Sequence, residues 1–226
     1  LVGVDALNFS DGDYLTIGLV EYATTGTTTD FNDASAWTTG QVPTSGTSVT
    51  IAVSHAMELT ADITIGSLII ETGGSLDLNG FTIEFAGDCI TLNGTGSVAV
   101  ATAGSTVGYV NPNVVNQCVT GGMTYNNLYT DGASGSIKSL TGDIVVTGDL
   151  NLQSAAGQAA TFDVQDNGTA NDYNITIGGN WTSEITFLPR SGTVTFNGTA
   201  DQTINTTGGE TYNNLTINKV SGKVIQ

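Results

Sequence analysis

The chain has 226 residues, enough for one all-β domain or two small ones. Its 4 Lys+Arg stand against 21 Asp+Glu, a net charge of −17. That balance argues strongly against a nucleic-acid partner, which needs clustered basic residues, and against an anionic membrane surface. No apolar run is long enough to cross a bilayer, so direct membrane insertion is not expected. The acidic residues read first as a solubilising surface, with calcium the ion that some of them could collect. Gly, Thr, Asn and Ser are abundant, yet the 39% of hydrophobic residues alternate as strands do, which argues against disorder. Good helix formers are scarce, and almost no helix is expected.

Residues 1–30 open as Leu1-Val-Gly-Val, without an initiator Met or a basic leader, and read as part of something longer. Asp11-Gly-Asp13 is a turn before the strand Tyr14–Gly18, and the Thr-rich run Thr24–Thr29 reads as a flexible link. The expectation is the end of a preceding module plus a linker over 1–30, or a first strand leading into the unit that follows. That unit spans 31–226. Its opening segment carries Trp37, Gly40, Pro43 and Gly46, then Val49-Thr-Ile51, His55, Leu59 and Ile63-Thr-Ile65.

The most informative pattern follows. Ser67–Leu78 and Cys89–Val100 are one twelve-residue phrase written twice, 22 residues apart and without a gap. Leu68 falls on Ile90, Ile70 on Leu92, Leu76 on Val98 and Leu78 on Val100, while Gly74 and Ser75 recur as Gly96 and Ser97. Two alternating strands around a glycine turn, repeated at this period, make one coil of a β-solenoid whose like residues stack inside. The predicted fold is all-β, a right-handed parallel β-helix with coils of about 22 residues.

The segment from Phe31 to Gly87 resembles the opening of right-handed β-helical modules in very large secreted surface adhesins of gliding and polymer-degrading bacteria. It is also similar to the eight-glycine extracellular domain family. The likeness covers residues 31–100 and carries a fold signature with no catalytic residue in it. It implies an extracellular, cell-surface protein, secreted across the outer membrane by a type IX route.

Further on, 101–124 lacks strand alternation, and Asn111-Pro112 should break a ladder, so an irregular loop is expected there. Tyr125-Asn-Asn-Leu128 recurs as Tyr212-Asn-Asn-Leu215, 87 residues on, close to four coils. Ile144–Val146, Leu150–Leu152, Phe162–Val164 and Ile175–Ile177 add short alternating strands, and Gly192–Phe196, Gln202–Ile204 and Tyr212–Ile217 resemble repeats of bacterial surface adhesins. The chain stops at Gln226 in what reads as mid-coil, without a cap.

Chemistry is sparse. Lys138, Arg190, Lys219, Lys223 and His55 are scattered, so a lyase has no obvious base and cation, and only a carboxylate-based hydrolase escapes this objection. His55 reads as structural or surface, and Asp62 and Asp77 as solvated acids. Cys89 and Cys118, 29 apart, can form one disulfide or remain free thiols. Asp163, Asp166, Asn171 and Asp172 concentrate oxygens that could hold calcium, as could the smaller group Asp30–Asp33, although an Asx-rich turn explains either. Tyr125, Tyr129, Trp181 and Tyr212, with Tyr173 beside them, could stack on sugar rings; core packing is the competing reading. No cofactor is expected beyond calcium. The sequence reads as a non-catalytic adhesive or structural segment whose partners are a surface polysaccharide or other extracellular surface and other segments of the same large protein. The alternative is a polysaccharide-binding module attached to a degradative enzyme.

Overall fold

The computed structural model describes residues 21–113, 116–154, 159–166 and 169–226, together with two short strands, Leu7–Asn8 and Tyr14–Leu15. Those two strands pair antiparallel. The turn Asp11–Asp13 and the rest of the strand predicted to Gly18 lie outside the described residues.

From Tyr22 onward the strands are parallel and stack into a β-solenoid with three walls. Wall C is continuous. Its eight strands are Ile63–Ile65, Thr82–Phe85, Thr106–Tyr109, Asn127–Thr130, Leu150–Leu152, Trp181–Ser183, Gln202–Thr206 and Val224–Ile225, one per coil. Ile63, Ile83, Val107, Leu128, Leu150, Trp181 and Ile204 share one inward column, so each coil takes 20 to 24 residues, except 31 between Leu150 and Trp181. The extra residues fall between the strands Leu150–Leu152 and Thr161–Asp163, and between Thr161–Asp163 and Ile175–Ile177.

Period-2 alternation explains the core, because every second residue of a short strand points inward. Leu68, Ile70, Leu76, Leu78, Ile90 and Val100 are buried, and the registers Leu68–Ile90, Ile70–Leu92 and Leu76–Val98 are those of the 22-residue repeat. The recurring glycine has a steric cause. A Cβ on Gly74 would lie 3.0 Å from the Glu71 carbonyl oxygen and 3.1 Å from that of Ala52, and one on Gly96 would lie 2.6 Å from that of Ile70. Only glycine lets the corner backbone approach the preceding coil so closely.

The Thr-rich segment is not a free linker. Tyr22–Ala23 adds to wall A beside Ser48–Ile51, and Thr24 is buried, its hydroxyl accepting from Ala52 N at 2.9 Å and lying 2.6 Å from His55 Nδ1. Phe31 and Trp37 then close the first coil, their rings 4.6 Å apart and edge to face, with the indole N–H donating to Phe31 O. Residues 21–47 thus pack over the start of the solenoid, with Tyr22–Ala23 the first strand leading into it.

Walls A and B, unlike wall C, each break between the third and fourth coils. Wall A is Tyr22–Ala23, Ser48–Ile51, Ser67–Ile70 and Ile90–Leu92, then a separate sheet of Asn116–Val119, Ile137–Leu140, Thr161–Asp163 and Thr186–Leu188. Wall B is Ala56–Glu58, Ser75–Asp77 and Ser97–Ala99, then Thr124–Tyr125, Ile144–Val146, Ile175–Ile177, Thr193–Phe196 and Asn214–Ile217. The fourth coil is too short here. Thr120 hydrogen-bonds Ile90 and Asn126 hydrogen-bonds Val100 O, so only residues 121–125 stand where the third coil has 91–99. They cannot run alongside both third-coil strands, and Leu92 is left 38% exposed although the repeat predicted it inside. Val98 is half-buried for the same reason.

A disulfide between Cys89 and Cys118 spans this seam. Gln117 reinforces it, its amide donating to Phe85 O at 2.7 Å. The expected loop over 101–124 therefore contains two strands, Thr106–Tyr109 and Asn116–Val119, flanking Asn111-Pro112. Their alternation is masked because Gly108 has no side chain and Gln117 occupies an inward position.

The two Tyr-Asn-Asn-Leu copies are not equivalent. Leu128 belongs to wall C and Leu215 to wall B, while Tyr125 shares its column with Val146, Ile177, Phe196 and Ile217. The long sixth coil moves the true four-coil equivalent of Tyr125 to Ile217.

Candidate functional site

Wall C, the unbroken one, presents two polar columns to solvent. The first is Asp62, Thr82, Thr106, Asn127, Asp149, Asn180 and Thr203; the second is Thr64, Glu84, Gly108, Tyr129, Asn151, Thr182 and Asn205. Neighbouring rungs stand about 4.8 Å apart, so the seven rungs span about 29 Å.

The first column is largely occupied with holding coils together. Asp62 accepts from Thr82 N, Asn127 from Asp149 N, Asp149 from Asn180 N and Asn180 from Thr203 N, all at 2.7–3.0 Å. Each Asx side chain caps the strand start of the following coil. A parallel column does the same on wall B, where Asp143 accepts from Asn174 N and Asn174 from Thr193 N. Much of the acidic and amide content is thus structural capping.

The second column is more open to a ligand. Tyr129 lies over Gly108, where an added Cβ would stand 2.5 Å from the ring's Cζ. Its hydroxyl donates to Glu84 Oε1, and Thr64 donates to Glu84 Oε2 at 2.6 Å. Burial, then the Glu84 carboxylate, pushes the Tyr129 phenol well above its usual range, so it remains a neutral donor. The ring is half-buried, one face on the Gly108 backbone. A cleft of about 400 Å³ lies between Asp62, Thr82, Glu84 and Tyr129. Three rungs follow with Asn151, Thr182 and Asn205, which border a second hollow of about 300 Å³. Among the described residues, their one side-chain bond is a 3.5 Å contact from Asn151 Nδ2 to Gln153.

The other aromatic candidates lie elsewhere. Tyr125 and Trp181 are fully buried, which removes both as sugar contacts. Each sits at an inward parity position, Tyr125 donating to Thr120 O at 2.5 Å and Trp181 stacking edge to face on Phe187 at 4.9 Å. Tyr212 is half-buried, 5.6 Å from Trp181, and Tyr173 packs against the core.

The candidate calcium ligands do not converge on one point. Asp163 is buried and takes both nitrogens of a fork from Arg190, at 3.0 and 2.7 Å. Asp172 accepts from the Ser191 hydroxyl, from Ser191 N and from Gln165 Nε2, and the Ser191 hydroxyl first of all holds its carboxyl below the usual range. Asp166 and Asn171 contribute backbone atoms to a turn with Thr169. Asp30 accepts from Asn32 N and Thr60, and Asp33 caps the short 3-10 turn Ala34–Ala36. Among the described residues, Asp88, Cys89 and Cys118 are the one close group of metal-ligand types, but their sulfurs are bonded to each other. Asp88 Oδ1 stands 2.9 Å from Cys118 Sγ, an oxygen–sulfur contact and not a hydrogen bond, since that sulfur carries no proton.

Two features escaped the sequence. Lys138 is buried at an inward position of wall A, donating to Gln117 Oε1 at 2.6 Å and Asn111 O at 3.2 Å. Burial pulls its ammonium down to about 8, opposed by the charge of Asp131. The pattern recurs where Lys219 donates to Gln202 Oε1 at 2.6 Å and to the Gly198 and Ala200 carbonyls. In both copies the glutamine amide reaches back to carbonyls of an earlier coil. The only sequence signal is the pairing of an inward Gln with a Lys one coil later.

The second feature is a cleft of about 650 Å³, faced by Glu184 and Glu210 beside Phe187 and Gly209. Glu210 is half-buried and accepts from the Trp181 indole at 3.3 Å, and burial raises its carboxyl above the usual range.

Comparison with protein-family models, curated proteins and solved structures finds no match for this chain.

Proposed function

We propose that this chain is a non-catalytic, extracellular structural and adhesive segment of a bacterial cell-surface protein, making contact with polysaccharide through the outer face of wall C. The observation that carries the reading is the column Tyr129–Asn151–Thr182–Asn205, an aromatic ring followed by three uncharged polar side chains on consecutive rungs. Carbohydrate surfaces are met by such combinations, because a ring takes the apolar face of a sugar and amides both donate and accept. The stacked coils supply a rigid scaffold. The Cys89–Cys118 bridge supports an oxidising compartment.

The test is retention of the oxidised chain on polysaccharide-coated sensor surfaces, alongside Tyr129→Ala and a doubly substituted Asn151→Ala/Asn205→Ala chain. Retention that all these variants keep, or no retention at all, removes wall C from an adhesive role.

One observation favours a second reading, a carboxylate hydrolase at the Glu184–Glu210 cleft. Two carboxylates face this cleft, the exposed Glu184 and the half-buried Glu210, whose carboxyl burial raises above the usual range, and a pair of carboxylates is what glycoside hydrolysis uses. Reducing ends released from pectin, alginate or chitin fragments, and lost in Glu210→Gln, would establish it against the adhesive reading.

A further inference from the structure

Resting on the wall C reading, we infer that its ligand is an uncharged, extended glycan lying along the solenoid axis, with Tyr129 as its stacking platform and Asn151, Thr182 and Asn205 as its hydrogen-bonding groups.

Charge selects the class. The outward columns carry three carboxylates, Asp62, Glu84 and Asp149, and no Lys or Arg. Three of the four Lys and Arg side chains stand elsewhere: Lys138 is buried in the core, Arg190 is paired with Asp163, and Lys219 is held on Gln202 and two carbonyls. Lys223 flanks the last strand of wall C opposite Asp201, three rungs beyond Asp149. A uronate chain laid on this wall would bring carboxylates within a Debye length, about 8 Å at physiological salt, of Glu84 and Asp149 with no cation to offset them. A neutral chain meets no such repulsion.

Geometry selects the direction. Tyr129, Asn151, Thr182 and Asn205 occupy four successive rungs, so their span of about 14 Å runs along the axis and across the strands. A ligand that offers hydroxyls at each unit of a regular, extended chain can meet all four, whereas a compact monosaccharide reaches one or two. The first column is already committed to capping backbone N–H groups, which leaves the second to bind.

The experiment is calorimetric titration of the oxidised chain with cello-, xylo- and chito-hexaose and with hexagalacturonate at low salt. At least one neutral hexamer is expected to bind, and hexagalacturonate about tenfold or more weakly, with the gap narrowing as salt rises. Tyr129→Ala and Asn151→Ala/Asn205→Ala should each weaken the neutral ligand about tenfold, with the thermal midpoint of each variant checking that the fold persists. Glu84→Gln, which keeps an acceptor for Tyr129, should improve hexagalacturonate binding selectively. If hexagalacturonate binds as well as the neutral chains, the charge inference fails while the wall C reading stands. If no hexamer binds, both fail. Neutral binding that is indifferent to all the wall variants also overturns the inference, by placing the site elsewhere.

Discussion

The Cys89–Cys118 bridge crosses the one place where two of the three ladders are interrupted, so its loss should divide the solenoid. With both cysteines replaced by serine, the unfolded chain regains the freedom of a 29-residue span, worth about 3–4 kcal/mol by loop entropy. What still crosses the seam includes the wall C ladder, Thr120 on Ile90, Gln117 on Phe85, Asn126 on Val100 and Gly104 on Asn126. In a stack where each coil contacts only its neighbours, weakening one interface separates the parts on either side. The two tryptophans report on the two parts, since Trp37 packs over the start of the solenoid and Trp181 lies in the sixth-coil strand of wall C. Urea unfolding followed by fluorescence, with Trp37→Phe and Trp181→Phe chains isolating each signal, should give coincident transitions in the oxidised protein. The Cys89→Ser/Cys118→Ser chain should show a midpoint about 1–2 M lower and a lag between the two signals. Coincident transitions with an unmoved midpoint would show that wall C alone couples the halves and refute the reasoning.

Lys138 has its ammonium pulled to about 8 in the folded chain against an ordinary 10.5. The unfolded state therefore binds more protons between those values, and stability should rise with pH across that window. Tyr109 and Tyr125 are shifted upward by burial, so the native state keeps protons that the unfolded state loses above about 10, and stability should then fall. Lys138→Met should abolish the rise and keep the fall in chemical denaturation run from pH 7 to 11; a persisting rise would acquit Lys138. Leu76→Asp places a charge at a buried position beside Met57 and should cost about 3 kcal/mol or more, whereas Val98→Asp, on the same column at the open edge, should cost clearly less in the same urea assay. Gly108→Ala should displace the Tyr129 ring, and loss of glycan retention with an unchanged thermal midpoint would confirm that the ring is held in place for binding.

The aromatic candidates divide by parity and by local context. Parity places Trp181 inward, in the column of Leu150 and Ile204, and Tyr129 outward beside Asn127. That parity is readable only once the strand's register is known, and a one-residue slip exchanges the two faces. The acids divide likewise: a carboxylate spent on the next coil's N–H is indistinguishable in sequence from one free to bind an ion, since its partner is about 20–30 residues away.

The 22-residue repeat, the alternation of short apolar strands and the glycine corners are local properties, and they sufficed to predict stacked parallel coils and the registers of Leu68, Ile70 and Leu76 with their neighbours. Coil length is not a local property. The shortened fourth coil exposes Leu92, and the 31-residue sixth coil carries Tyr212 out of register with Tyr125. Lys138 and Gln117 likewise look like surface residues until the ladder sets them directly opposite each other inside the core. Period and turn chemistry are written within one coil, whereas polar burial, the seam and the composition of the binding column depend on which coil lies above and which below.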